Sequence, residues 1–266
     1  MPIDFISRRL LRDAGTHGPL ALMYHSVVHD NSVPDWKWAV SYRRFVAQLD
    51  LLRDEGWTTV CVRDLVHPAG LPDRTVVLTF DDGYADNYPA FEALARRGMQ
   101  ATWFIVSRDV GCTSSWGDPG VAPQRMLSGE QLRTMTTAGM EIGAHSCSHA
   151  RLTELNDADL ADEIGRSKTE LAEIVGEPVQ SFAYPYGKYD DRTVDTVRRA
   201  GYASACITRP GWALRDNDPL RIRRISIFAQ DDLAAFARKL AFADNDVSWQ
   251  RMFHYVLGQL AARLRP

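Results

Sequence analysis

The sequence lacks long apolar runs and dense runs of basic residues. No stretch reaches the ~20 consecutive apolar residues that a membrane-spanning helix requires. The formal net charge is -3 and no Lys- or Arg-rich run occurs, which gives no reason to expect nucleic-acid binding. Residues 1–18 have neither the apolar core nor the small-residue cleavage site of a secretion signal. These absences favour a cytoplasmic protein that does not bind nucleic acid.

Cysteine is also scarce. Four cysteines, Cys61, Cys112, Cys147 and Cys206, are far apart and form no Cys-x-x-Cys pair. This distribution is typical of reduced thiols in the cytosol rather than of a disulfide framework. No internal repeat or low-complexity linker divides the 266 residues, and their 45% hydrophobic content is enough for one large globular domain.

Short apolar runs alternate with amphipathic segments along the chain. The runs typical of buried strands are 20–25, 76–80, 101–106, 181–184 and 203–207. The segments with helical periodicity are 45–52, 88–97, 130–138, 156–175 and 192–200, and several of them are followed by glycine. This alternation indicates βαβ units, and therefore an α/β fold with a parallel sheet or barrel.

Two short motifs carry the chemistry. Asp81 and Asp82 follow the strand-like run 76–80, and His145 and His149 follow the run 140–144. One carboxylate and two imidazoles form a facial set of three ligands, which leaves positions on a metal open for water and substrate. The second carboxylate is then free to act as a base. The motifs therefore predict a metal-dependent hydrolase.

Each motif also has a purely structural explanation. Asp-Asp-Gly is a common turn sequence, and two histidines four residues apart occur on helix surfaces. The combination favours function, because both pairs follow strand-like runs and the aromatic turn 184–187 follows a third. The C-terminal strand ends of an α/β barrel lie on one face, so we expect the three motifs to converge there.

These stretches resemble the polysaccharide deacetylases, which are carbohydrate esterases with a nodulation-type deacetylase domain. The matching segments are 78–83, 141–149 and 182–187, and the resemblance covers roughly residues 20 to 230. It implies a distorted (β/α)7-type barrel that removes acetyl groups from N-acetylated amino sugars of a glycan or glycan precursor. We expect a catalytic domain at 20–240, after a lead-in at 1–19 and before a C-terminal amphipathic helix at 241–266.

The resemblance also implies roles for individual residues. By position in the motifs, Asp82, His145 and His149 would hold a divalent metal, expected to be Zn²⁺. Asp81 would act as the catalytic base. The backbone N–H of Tyr186 would stabilise the oxyanion that forms when the acetyl carbonyl is attacked.

The sequence departs from the common family pattern in two places. Ala183 stands where an arginine usually braces the base, and no late segment supplies the usual general acid. A branch that includes the poly-N-acetylglucosamine deacetylases carries an early Tyr-His motif, which segment 23–26 resembles. That resemblance makes His25 the candidate general acid, with a structural histidine at a strand end as the alternative.

A late Arg-Ile segment, 220–225, is similar to the same branch. We expect Arg224 to replace the missing brace of Asp81. Arg221 and Arg223 are alternatives, since alternation along a strand would set one arginine apart from the others.

Aromatic residues near the motifs are candidates for binding the sugar substrate. The rings of Trp116, Tyr184 and Tyr186 suit the apolar C–H face of a pyranose, and Pro185 lies in the same turn as the two tyrosines. Each of these aromatic residues also fits a position in the core.

The C-terminal segment carries an apolar stripe with arginines off it. The stripe consists of Trp249, Met252, Phe253, Val256, Leu257, Leu260 and Leu264. This pattern predicts an amphipathic helix that packs on the domain. The alternative is a helix that docks on a membrane surface or on a glycosyltransferase.

Two other functions compete with the deacetylase interpretation. The missing arginine of the third motif would also suit a catalytically silent glycan-binding domain. Such a domain has no need of a base beside a metal, however, and Asp81 and Asp82 are both present. The third candidate is another metal-dependent amidohydrolase on the same barrel, acting on a cyclic amide or a peptidoglycan acetyl group. The early motif at His25 favours the deacetylase over it.

Overall fold

The computed structural model describes residues 3–12, 14, 17–29, 36–117, 122–248, 250 and 252–253, which include ten strands and seven α-helices. The strands are β1 (Leu20–Tyr24), β2 (Ser26–Val28), β3 (Ala39–Ser41), β4 (Thr58–Val60), β5 (Thr75–Phe80), β6 (Thr102–Ile105), β7 (Glu141–Ala144), β8 (Ser181–Ala183), β9 (Ser204–Cys206) and β10 (Ile225–Ser226). The helices are α1 (Phe5–Leu11), α2 (Tyr42–Asp54), α3 (Tyr88–Ala95), α4 (Gly129–Thr137), α5 (Asp157–Val175), α6 (Asp191–Arg199) and α7 (Leu233–Phe242).

Eight strands form one parallel sheet in the order β10-β1-β5-β6-β7-β8-β9, with β4 beside the first half of β5. Tyr24 pairs with Phe80, and Ile105 pairs with Ala144, so neighbouring strands end at the same level. The loops that follow β1, β5, β7 and β8 therefore leave from one edge of the sheet, and these loops carry the predicted motifs.

The sheet curls so that its two ends approach each other. Ile222 pairs with Cys206 of β9, while Ile225 pairs with Leu22 of β1. Segment 222–226 therefore contacts both edge strands, which produces a distorted barrel with helices outside it. The prediction of an α/β barrel is confirmed.

The helix boundaries follow from capping groups in the sequence. The Asn156 side chain accepts hydrogen bonds from the first backbone N–H groups of α5, and Gly176 ends that helix with φ 80°. Ser128 and Gln131 form a capping box at the start of α4, and Asp190 caps α6. Hydrogen bonds from capping side chains therefore fix where α4, α5 and α6 begin, and a left-handed glycine fixes where α5 ends.

An aromatic stack lies in the core beneath the site. The rings of Tyr24 and Phe80 are 5.3 Å apart, and those of Phe80 and Trp103 are 4.6 Å apart and nearly parallel. All three side chains are fully buried. Aromatic contacts of this kind add about 0.5–1.5 kcal/mol per pair beyond the burial of apolar area, so they help to hold β1, β5 and β6 together.

The two ends of the chain differ in how much is described. Helix α1 packs on α7. Trp249, Arg251 and residues 254–266 lie outside the described residues, so the C-terminal amphipathic helix stays a prediction. Among the described helices, none combines the length and the apolarity needed to cross a membrane.

Candidate metal centre and active site

The two charged motifs lie in tight loops at the C-terminal edge of the sheet. Asp82 has φ 74° and Gly83 has φ 90°, so the chain turns sharply after β5. A Cβ on Gly83 would lie 3.0 Å from the Ile105 side chain, which explains the glycine. After β7, Ser146 and His149 have φ 61° and 60°. Left-handed backbone in non-glycine residues is rare and concentrates at functional sites.

Asp82, His145 and His149 come together as a buried cluster. Oδ1 of Asp82 lies 3.4 Å from Nε2 of His145 and 3.3 Å from Nε2 of His149. The ligand atoms of these three residues all lie within 4.8 Å of one another. Burial opposes ionisation of Asp82, yet hydrogen bonds from both histidines outweigh it and hold the pKa of this carboxyl well below its usual range.

The donor set fits a divalent metal. Nδ1 of His145 lies 2.8 Å from the backbone oxygen of Ala183, which can only accept, so Nδ1 carries the proton. When the ring is neutral, as a metal ligand must be, the lone pair of Nε2 therefore faces the cluster, and the hydrogen bond from Nδ1 to the backbone orients this ligand. Two imidazoles and one carboxylate suit Zn²⁺, and three protein ligands leave positions open.

Asp81 is held away from that cluster by Arg224. Nη1 and Nη2 of Arg224 donate to the two carboxylate oxygens at 2.5 and 2.8 Å. Nη1 also donates to Oγ1 of Thr79, and Nε donates to the backbone oxygen of Ile207. Burial is the largest single effect and raises the pKa of Asp81, but the charge and hydrogen bonds of Arg224, together with the charges of His145 and His25, outweigh burial, so the pKa is lowered. A carboxylate fixed in this way keeps its charge beside the cluster of Asp82, His145 and His149.

The other two candidate arginines pair elsewhere. Arg221 contacts Asp218 and Asp191, and Arg223 binds Asp216 through Nε and Nη2. In the structure Arg224 is the member of this segment that reaches Asp81, across 143 residues of chain.

His25 lies at the end of β1 and lines the same cavity as the ligand cluster. Its ring packs on Trp38, with centroids 4.4 Å apart. Burial lowers the pKa of His25, and this effect exceeds the opposing effect of the Asp82 and Asp81 charges. When protonated, such a ring is a stronger acid than an ordinary histidine.

The cavity has a volume of about 250 Å³ and aromatic walls. Trp116 stacks on His149 with ring centroids 4.7 Å apart, and Tyr186 contacts the same histidine edge-on at 4.5 Å. Tyr186 has φ 58°, and a Cβ on the next residue, Gly187, would lie 2.1 Å from Oγ1 of Thr208. The third motif thus turns tightly over the cavity.

Two of the candidate substrate-binding residues in turn 184–187 lie deeper in the protein than Tyr186. Tyr184 borders the cavity but is fully buried, and its hydroxyl donates to the backbone oxygen of Leu220 at 3.1 Å. Pro185 is buried and lies outside the cavity lining. Their positions suit support of the turn better than contact with a sugar.

Sequence reasoning missed two aromatic residues of the site. Trp38 lines the cavity, and Trp36 approaches both His25 and Tyr84 with ring centroids 6.4 and 6.0 Å apart. The closely spaced tryptophans were a visible signal. Trp36 and Trp38 directly precede β3, and the pairing of β3 with β2 brings them close to His25. No periodic pattern in the sequence predicts this short strand pair.

Comparison with known proteins gives consistent matches. A family model described as polysaccharide deacetylase matches residues 69–205. The chain is 28% identical over 211 residues to YxkH of Bacillus subtilis strain 168, covering 77% of this chain and 70% of that protein. It is 22% identical over 206 residues to the poly-beta-1,6-N-acetyl-D-glucosamine N-deacetylase of Staphylococcus aureus strain MSSA476, covering 68% and 69%.

Solved structures share the fold. IcaB from Ammonifex degensii superposes with a TM-score of 0.72 at 27% identity, covering 85% of this chain and 97% of that one. A polysaccharide deacetylase from Bacillus cereus gives a TM-score of 0.71 at 25% identity, covering 84% of this chain and 68% of that one.

Proposed function

The chain belongs to the polysaccharide deacetylase family, and we propose that it hydrolyses the N-acetyl amide of an amino sugar with a divalent metal, expected to be Zn²⁺. Removal of acetyl groups from amino sugars of glycans is the activity that its homologues support. The observation that carries the metal-dependent mechanism is the convergence of a three-ligand cluster, a separate braced carboxylate and a histidine in one aromatic-walled cavity.

The geometry supports a separate role for each of these residues. Asp82, His145 and His149 would hold the metal, which when bound acidifies water and polarises the acetyl carbonyl. Asp81 accepts the proton of the attacking water, and Arg224 holds its carboxylate in place for that step. His25 donates a proton to the amine nitrogen as the C–N bond breaks, so that the sugar leaves as a neutral amine. Acetate and a free amino sugar result.

The cavity walls suit a sugar ring. Trp116 and Tyr186, which contact His149, and Trp38, which contacts His25, present aromatic surface to the cavity. Such faces pack on the C–H face of a pyranose while its hydroxyl groups stay in contact with water. We therefore propose that one N-acetylated sugar unit of the glycan enters the cavity with its acetyl group toward Asp81 and Asp82.

Acetate release from N-acetylglucosamine oligomers and from a small acetyl ester is the direct test. We expect the zinc-loaded protein to release acetate, because the metal held by the three ligands activates the attacking water. A chelator should abolish the release, and added Zn²⁺ should restore it. Acetate is measured by an enzyme-coupled assay, with metal content determined in the same samples.

Two results would count against the proposal. Turnover that survives complete metal removal would contradict the metal-dependent mechanism. Stoichiometric metal without acetate release from any acetylated sugar would favour a binding domain instead.

Replacement of His25 tests its role as proton donor. We expect His25→Gln to lower kcat on the N-acetylated sugar by about 10²- to 10⁴-fold, the usual contribution of general acid–base catalysis. An aryl acetate should lose far less, because a phenolate leaves without a proton. The two substrates are compared side by side, with the exposed His67→Gln as control. Equal losses on both substrates would show that His25 has a structural role.

A further inference from the structure

The loop between the two histidine ligands has an unusual backbone. Ser146 and His149 both lie in the left-handed region, and the backbone N–H of His149 donates to Oγ of Ser146 at 3.0 Å. Non-glycine residues in this region cost free energy, and they persist only where the surroundings hold them. Cys147 and Ser148, between the two strained positions, must therefore be anchored.

Glu163 of α5 supplies that anchor. Its Oε2 accepts hydrogen bonds from the backbone N–H groups of Cys147 at 3.1 Å and Ser148 at 2.9 Å. Its Oε1 accepts from the Ser148 hydroxyl at 2.6 Å. One carboxylate thus binds three donors of a four-residue turn, and hydrogen bonds to a charged acceptor are the stronger kind.

A second carboxylate on the same face of α5 supports the loop from behind. Glu170, two helical turns after Glu163, accepts from the Ser107 hydroxyl at 2.5 Å and lies 3.6 Å from Sγ of Cys147. Arg166 holds Glu170 at 2.8 Å. The backbone N–H of Arg108 also donates to the carbonyl of Cys147 at 3.0 Å.

We propose that Glu163 is a positioning residue for the metal: it fixes the 146–149 turn so that His145 and His149 are aligned before the metal binds. This inference rests on the proposed metal-dependent function. Glu163 lies outside the cavity lining and is not a ligand. Groups that orient ligands typically contribute 10- to 100-fold to metal affinity or activity.

Zinc affinity tests the inference directly. Glu163→Gln keeps the shape but removes the charge and replaces one acceptor oxygen by an N–H2 donor, so the two backbone N–H groups lose their charged acceptor and the hydrogen bond with the Ser148 hydroxyl is lost or reversed. We expect the Kd for Zn²⁺, measured by competition with a chromogenic chelator, to rise about 10- to 100-fold. Ser148→Ala removes one donor and should give a smaller rise. Glu173→Gln, at an exposed position on the same helix, should leave the Kd unchanged.

Restoring the activity of Glu163→Gln with excess Zn²⁺ distinguishes a role in positioning the metal ligands from a general role in folding. If Glu163 acts through the metal, excess Zn²⁺ should restore acetate release by Glu163→Gln, and the Tm of the metal-free variant should stay close to that of the unaltered protein. Unaltered zinc affinity in Glu163→Gln, or lost turnover that excess Zn²⁺ does not restore, would overturn the inference. Failure of the unaltered protein to release acetate with Zn²⁺ or with any other divalent metal would overturn the proposed function itself, which is a distinguishable result.

Discussion

Replacing Asp81 by asparagine is expected to lower kcat/KM for acetate release by about 10³-fold, within the usual range for loss of a general base. The amide has nearly the same shape as the carboxylate but cannot take a proton from water at neutral pH. Zn²⁺ should remain bound, because the cluster of Asp82, His145 and His149 does not include Asp81. Acetate release and bound zinc are measured on the same preparation.

The structure provides a matched control for this substitution. Asp216 pairs with Arg223 as Asp81 pairs with Arg224, through two guanidinium nitrogens. Asp216 lies outside the cavity lining. Asp216→Asn should therefore keep full turnover. Asp81→Asn with more than a tenth of the original kcat/KM would exclude Asp81 as the base.

The ligand cluster was predictable because strand geometry dictates it. Asp82, His145 and His149 each follow a run that becomes a parallel strand, and parallel strand ends meet at one edge of the sheet. Residue type and position after a strand were enough to expect that the aspartate pair and the two histidines would converge, whereas the choice of Asp82 over Asp81 as the ligand came from the family resemblance. No side-chain detail was needed for that step.

The brace of Asp81 was harder to predict, because the sequence offered three arginines within four residues. The strand there is only Ile225–Ser226, so alternation along it could not be read from the sequence. The choice depends on how segment 222–226 closes the barrel between β9 and β1. That closure buries Arg224 completely, while Arg223 reaches the half-exposed Asp216.

The aromatic residues of the cavity show a different limit of prediction from sequence. Tyr184 and Tyr186 are two residues apart in one turn, yet Tyr184 is fully buried and Tyr186 is 38% exposed. The left-handed backbone of Tyr186 interrupts the regular alternation, and the next residue, Gly187, lies against Thr208, which is distant in sequence. Periodicity cannot reveal such a turn, because it averages over regular backbone.

Removal of Arg224 is expected to have the largest effect on stability. Both side chains of its pair with Asp81 are at most 3% exposed, so Arg224→Met leaves a buried carboxylate without its partner. Breaking a buried pair in this way costs about 3–5 kcal/mol in the free energy of unfolding, measured by urea denaturation. Arg223→Met should cost far less, because water reaches the carboxylate of Asp216.

The double variant distinguishes the electrostatic cost from lost packing. Asp81→Asn in the Arg224→Met background removes the stranded charge, so we expect much of the lost stability to return, since uncharged replacements of buried pairs are often neutral. The double variant should nevertheless stay inactive, because the base is gone. If stability does not recover, the cost lies in the other contacts of Arg224, which are its hydrogen bonds to Thr79 and Ile207 and its position 5.5 Å from the Phe104 ring centroid. Recovery without activity would show that the buried pair is retained for the catalytic carboxylate rather than for the fold.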